Sequence, residues 1–123
     1  MLIVGAGPGI SLSTAKKFGR GGFKMSLITR RLNALQQYEE ELSSLGIEVK
    51  GFHGDISSKD SLKNSIDSVV KTYGKIDVLL YIAAAEKPSK PTDLNAGDLI
   101  RDFNNSVTGA LTSVKEVLPY IQI

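Results

Sequence analysis

Gly5-Ala6-Gly7-Pro8-Gly9 is the first cluster in the chain whose residue types and spacing point to chemistry. It follows the apolar run Leu2-Ile3-Val4 and precedes a stretch in which Leu12, Ala15 and Phe18 share a helical face. A glycine-rich turn between a buried strand and a helix lets backbone approach a pyrophosphate. The helix start then offers free N–H groups and the positive end of its dipole. Gly5, Gly7, Pro8, Gly9 and Ile10 are therefore candidate phosphate-binding positions. The glycines fall two apart, so the strict G-x-G-x-x-G pattern is not met, and Ser11 stands where a further glycine is expected. A plain tight turn is the competing reading.

The second cluster is Thr29-Arg30-Arg31, at the end of the next apolar run. A site for NAD places an acid about twenty residues past the glycines, where it holds the ribose 2′-hydroxyl. No acid occurs here before Glu39. Two guanidinium groups stand there instead, and a guanidinium grips a 2′-phosphate with paired hydrogen bonds. Arginine at a helix start also opposes the helix dipole, so its placement costs a little and suggests a use. The residues favour NADP over NAD; an ordinary exposed helix start is the alternative. A third candidate pair, Asp55-Ile56, follows the third apolar run. The carboxylate can accept from an adenine amino group while Ile56 packs on the ring, although an acid at a helix start has the same appearance. His53, just before it, reads as an ordinary strand-end residue.

Composition narrows the classes. The chain has 123 residues, 41% hydrophobic and 23% charged, with a net charge of +2. This suits one folded domain rather than a disordered or fibrous chain. With no cysteine and one histidine, disulfides and thiolate or histidine metal sites are not expected. No apolar run reaches the length of a membrane span and the amino terminus lacks a basic leader, so a cytoplasmic protein without a membrane partner is expected. Residues 1–38 hold six basic residues and no acid. Such a stretch suits a polyanionic ligand, but no recognition-helix motif or aromatic-rich basic strand accompanies it, and nucleic acid is not the expected partner.

The elements that must position these clusters alternate. Strands are expected over 2–4, from Met25 to Ile28, from Ile47 to Phe52 and from Val78 to Ile82. Helices are expected from Ser11, from Leu32 to Leu45, after a cap at Ser57 or Ser58, and from a cap at Asn95 to about Pro119. In the last helix Leu99, Phe103, Val107, Leu111, Val114 and Leu118 form the apolar face. Helical crossovers between short buried strands mean an α/β fold of Rossmann type. Its doubly wound parallel sheet is partial, with strand order 3-2-1-4 and right-handed connections.

Taken in order, the glycine turn, Arg30-Arg31, Asp55-Ile56, Gly74-Lys75-Ile76-Asp77-Val78-Leu79, Val107-Thr108-Gly109-Ala110 and Leu118-Pro119 resemble the short-chain dehydrogenases/reductases over essentially the whole chain. The resemblance implies hydride transfer between NAD(P) and an alcohol or carbonyl. It implies that Gly5 to Gly9 wrap the pyrophosphate, that Arg30 with Arg31 or Thr29 holds the 2′-phosphate, and that Asp55 and Ile56 flank the adenine. Ala83 and Ala84 would lie under the adenosine ribose. It also implies a homo-oligomer, built through the last helix.

Several positions depart from the family pattern. Ser11 replaces a close-packed glycine, Tyr81-Ile82-Ala83-Ala84 replaces Asn-Asn-Ala-Gly, and Ser106 occupies the position of the catalytic asparagine. The family's catalytic serine and Tyr-x-x-x-Lys are not found within the 123 residues, which read as the cofactor-binding half of a larger domain. The fourth strand is then expected to show an open edge. A non-catalytic nucleotide-binding or interaction protein derived from the family is the alternative function, and a polyanion-binding module a third.

Overall fold

Leu2, Ile3 and Val4 have no polar neighbour to turn outward, so this run can only be a strand covered on both faces. The structure, a computed structural model that describes residues 1–82 and 90–121, bears this out. Strand β1 (Leu2–Val4) lies between β2 (Met25–Thr29) and β4 (Leu79–Tyr81), and β3 (Val49–His53) lies beyond β2. All pairings are parallel and the order is β3-β2-β1-β4, as expected.

Alternation along each strand divides the core in two. Ile3, Met25 and Leu27 meet Ala15, Leu35 and Leu42 of helices α1 (Ile10–Arg20) and α2 (Leu32–Ser44). Leu2, Val4 and Ile28 meet Leu62, Ile66 and Val69 of α3 (Lys59–Tyr73), together with Val117. Each fully buried aliphatic side chain of this kind contributes roughly 1.5–3 kcal/mol.

The helix ends follow local chemistry. The Ser58 hydroxyl accepts the Ser61 N–H at the start of α3, so of the two serines it is Ser58 that caps. Ile47, expected to open the third strand, instead closes α2. Its N–H donates to the Leu42 carbonyl at 3.2 Å, past the left-handed Gly46. The strand therefore begins two residues later.

The last helix departs most from expectation. Asn95 caps α4 (Ala96–Phe103) through the Asp98 N–H, but a π turn over Asn104–Thr108 separates α4 from α5 (Gly109–Val117). The apolar stripe also faces outward. Leu99, Phe103, Val107, Leu111, Val114 and Leu118 are exposed, while Asn105, Gly109, Thr112, Ser113 and Val117 are buried. Small residues let α5 approach α3 and β4 closely, and Ser113 can be buried because its hydroxyl donates to the Gly109 carbonyl at 2.8 Å. Spacing alone marks an apolar face but not what covers it.

Tyr81 packs against the turn and its glycine. Its hydroxyl donates to the Asn105 carbonyl, and burial raises its pKa. A Cβ on Gly109 would run into that hydroxyl. Gly109→Ala is therefore expected to cost about 1–3 kcal/mol of stability as an overpacking change. Adding Tyr81→Phe should return part of that loss, although Tyr81→Phe alone destabilises by leaving the Asn105 carbonyl without its donor. Denaturant unfolding of the two single variants and the double variant measures this coupling.

The edge of β4 is not wholly bare. Ile121 forms an isolated parallel bridge with Ile76, and the Ile76 N–H donates to the Tyr120 carbonyl at 3.2 Å. The chain after α5 therefore returns alongside β4 at its amino-terminal end, where a fifth parallel strand would lie.

Candidate functional site

The carboxyl ends of β1, β2 and β3 gather most of the residues singled out above. Gly5 to Gly9 leave β1 in an open turn, with Pro8, Gly9 and Ile10 exposed. The turn hangs from β2, because the Gly5 and Ala6 N–H groups both donate to the Ile28 carbonyl, at 2.9 and 3.0 Å. Gly5 and Gly9 take positive φ values of 87° and 83°, which close the turn and aim the chain into α1. Ser11 does not break this packing. It is buried, with its hydroxyl 3.4 Å from the Gly5 carbonyl, and so occupies the space left under the turn.

The start of α1, like that of α2, differs from the starts of α3 and α4. Helices α3 and α4 carry side-chain caps from Ser58 and Asn95 and an acid in the first turn. Helix α1 begins at Gly9 with no side-chain cap and no acid in its first turn. Its leading N–H groups and positive dipole end face solvent beside the exposed turn, an arrangement that fits an anion.

Thr29 ends β2 as a buried residue, and its hydroxyl accepts the Arg31 N–H at 3.3 Å. Arg30 and Arg31 are exposed, with Arg31 at the cap position of α2 and no acid in that helix's first turn. Asp55 follows β3. The Ser57 hydroxyl and N–H donate to its carboxylate at 2.6 and 2.9 Å and hold its pKa below the usual range, with smaller help from the charges of Arg30 and His53. This carboxylate stays an acceptor well into acid. Ile56 packs partly against the core on the α3 side.

Two expected positions, Ala83 and Ala84, lie outside the described residues. Ser106 is exposed on the π turn, whereas its neighbour Asn105 is buried with its side-chain oxygen unpartnered among the described residues. Two cavities among the described residues lie elsewhere. One of about 330 Å³ opens at the amino ends of the strands, between Met1, Phe23, Tyr73 and Ile76. The other, about 430 Å³, lies between β3 and α3. Neither contains the glycine turn, which is an open surface. Among the described residues no group of three His, Cys, Asp or Glu could hold a metal, and no helix is long and apolar enough to cross a membrane.

A parallel 3-2-1-4 sheet with a glycine turn after β1 defines a dinucleotide-binding fold of Rossmann type. The short chain dehydrogenase family model matches residues 1–122, and the chain belongs to that family. It is 32% identical to secoisolariciresinol dehydrogenase of Forsythia intermedia, over 93% of this chain and 41% of the relative. It is 31% identical to glucose 1-dehydrogenase of Gluconobacter oxydans, over 98% of this chain and 46% of the relative. The chain thus spans about half the length of the curated relatives it matches. Among solved structures, NAD⁺-bound xylitol dehydrogenase superposes with a TM-score of 0.90 at 31% identity, covering 97% of this chain and 46% of that one. An actinorhodin polyketide ketoreductase variant with NADPH superposes with a TM-score of 0.87 at 25% identity, covering 95% and 46%. These two neighbours hold different cofactors on the same frame, so cofactor choice rests on local residues.

Proposed function

We propose that this chain binds NADP(H) and forms the cofactor-binding half of a reductase that moves hydride between NADP(H) and a carbonyl or alcohol substrate. The observation that carries this is the end of β2, where Thr29, Arg30 and Arg31 stand in place of an acid beside the open glycine turn. In this reading Gly5, Gly7, Pro8, Gly9 and Ile10 hold the pyrophosphate against the uncapped start of α1. Arg30, with Arg31 or Thr29, grips the 2′-phosphate. Asp55 accepts from the adenine amino group, Ile56 packs on the ring, and Ala83 and Ala84 underlie the ribose. The bound nicotinamide supplies or accepts the hydride; the residues of this chain bind and orient it.

Direct titration of NADPH and NADH tests the reading. NADPH is expected to bind at least about tenfold more tightly, and equal affinities would overturn it. We place catalysis in the whole protein, with a serine and a Tyr-x-x-x-Lys following residue 123 in a chain of its relatives' length. The reading frame of the native transcript checks that placement.

The outward stripe on α4 and α5 supports a second copy of the protein as a partner, since an exposed apolar row of this extent marks an interaction surface. Sedimentation is expected to give at least twice the chain mass for the wild type and a lower mass for Phe103→Glu.

A further inference from the structure

We propose that His53 is a second contact for the 2′-phosphate, engaged in its protonated form beside Arg30, and so a further residue that sets cofactor specificity. The inference rests on the NADP(H) reading above. Its basis is the register of β2 and β3, which pairs Thr29 with His53. Partners in a parallel ladder sit about 4.8 Å apart and turn their side chains to the same face.

That face is known from Gly51, two residues earlier, where a Cβ would meet Leu35 and Glu39 of α2. His53 therefore projects on the α2 side, next to Thr29, whose hydroxyl lies under the first turn of α2. This is where Arg30 and Arg31 leave the strand. His53 is exposed, so its ring is free to meet a ligand there.

The charges around it are few. From the β2–α2 junction come Arg30 and Arg31, and the loop after β3 brings Asp55, whose carboxylate feels both Arg30 and His53. From α2 comes Glu39, whose carboxylate accepts the Gly51 N–H at 2.8 Å. The α3 side is neutral: Ser65 donates to the His53 carbonyl at 2.6 Å, and Ser61 and Asn64 line the same cavity. Ser57 already donates to one Asp55 oxygen and the Gly51 N–H to one Glu39 oxygen, so the ring is not committed to either carboxylate and can meet an arriving phosphate beside Arg30. Histidine changes charge between about pH 5 and 8, the range in which it can add a cation to the arginine pair.

His53 is the single histidine of the chain, so its imidazole NMR signals are unambiguous. The imidazole would be titrated free, with adenosine 2′,5′-bisphosphate, and with 5′-AMP. The titration midpoint is expected to rise with the bisphosphate and stay unchanged with AMP. In parallel, His53→Asn is expected to weaken bisphosphate binding about 3- to 10-fold at pH 6 and less than about twofold at pH 8.5, with no effect on AMP. Comparing variant and wild type at each pH cancels the ligand's own phosphate ionisation, which falls near pH 6.

A midpoint that does not move, or a variant that binds the bisphosphate like the wild type at pH 6, overturns the inference while leaving the NADP(H) reading intact. Equal wild-type affinity for the bisphosphate and AMP overturns both.

Discussion

Arg30→Ala is expected to weaken NADPH binding about 10- to 100-fold while leaving NADH within about threefold, so that the variant no longer separates the two cofactors. The size follows from the interaction. A hydrogen bond to a charged group contributes about 1.5–3 kcal/mol, and a guanidinium can make two to one phosphate. Arg30 is exposed and carries no ion pair with any described residue, so its removal takes nothing from the core. Unfolding stability should change by less than about 0.5 kcal/mol. Arg31→Ala should have a smaller effect, because in the proposed reading Arg30 makes the paired contact and Arg31 shares the supporting one with Thr29. Fluorescence titration of both cofactors against wild type and both variants decides this. An Arg30 variant that loses NADH as strongly as NADPH would show a general role in the turn rather than 2′-phosphate recognition.

A second large effect is expected at Gly9. Its backbone, φ 83° and ψ −121°, is one that glycine adopts readily and an L side chain does not. Among the described residues beyond its chain neighbours, no atom lies within 4 Å of the position a Cβ would take, so the penalty of Gly9→Ala is conformational rather than a clash. It should cost about 1–3 kcal/mol of stability and, if the turn holds the pyrophosphate as proposed, weaken NADPH and NADH together, because the turn must rearrange. Gly7→Ala is the informative contrast. Gly7 is not among the positive-φ glycines, and no described residue beyond its chain neighbours lies within 4 Å of where its Cβ would be, so stability should hardly move. Any loss of cofactor binding in Gly7→Ala then measures crowding of the ligand. Thermal unfolding and cofactor titration on both variants separate strain from contact.

Sheet order, the first three helices and most element ends were legible in the sequence because each rests on short-range signals. Leu2-Ile3-Val4, Met25 to Ile28 and Val78 to Ile82 are short apolar runs that read as strands, the first two buried and the third half-buried. Ser58 and Asn95 cap the helices they precede. The glycine turn and the arginines were legible for the same reason, since a turn's conformation and a cation's position at a strand end depend on a few neighbouring residues.

What remained hidden depends on contacts between distant parts of the chain. The break at Asn104–Thr108 lies where Tyr81, more than twenty residues earlier, reaches the Asn105 carbonyl. The outward turn of Leu99, Phe103, Val107 and Leu111 follows from the close approach of Gly109, Thr112 and Ser113 to α3 and β4. Periodicity identifies a stripe but is blind to which side the partner helix occupies. His53 read as an ordinary strand-end residue because its neighbours in sequence give it no partner. Only the pairing of β3 with β2 sets it beside Thr29 and the arginines. The sequence by itself thus determined the fold class and the places of the glycine turn and the arginines at the strand ends, which are local. Tertiary structure decided which groups stand next to one another across strands and which apolar face is left to solvent, because parallel register and helix packing are set by residues far apart in the chain.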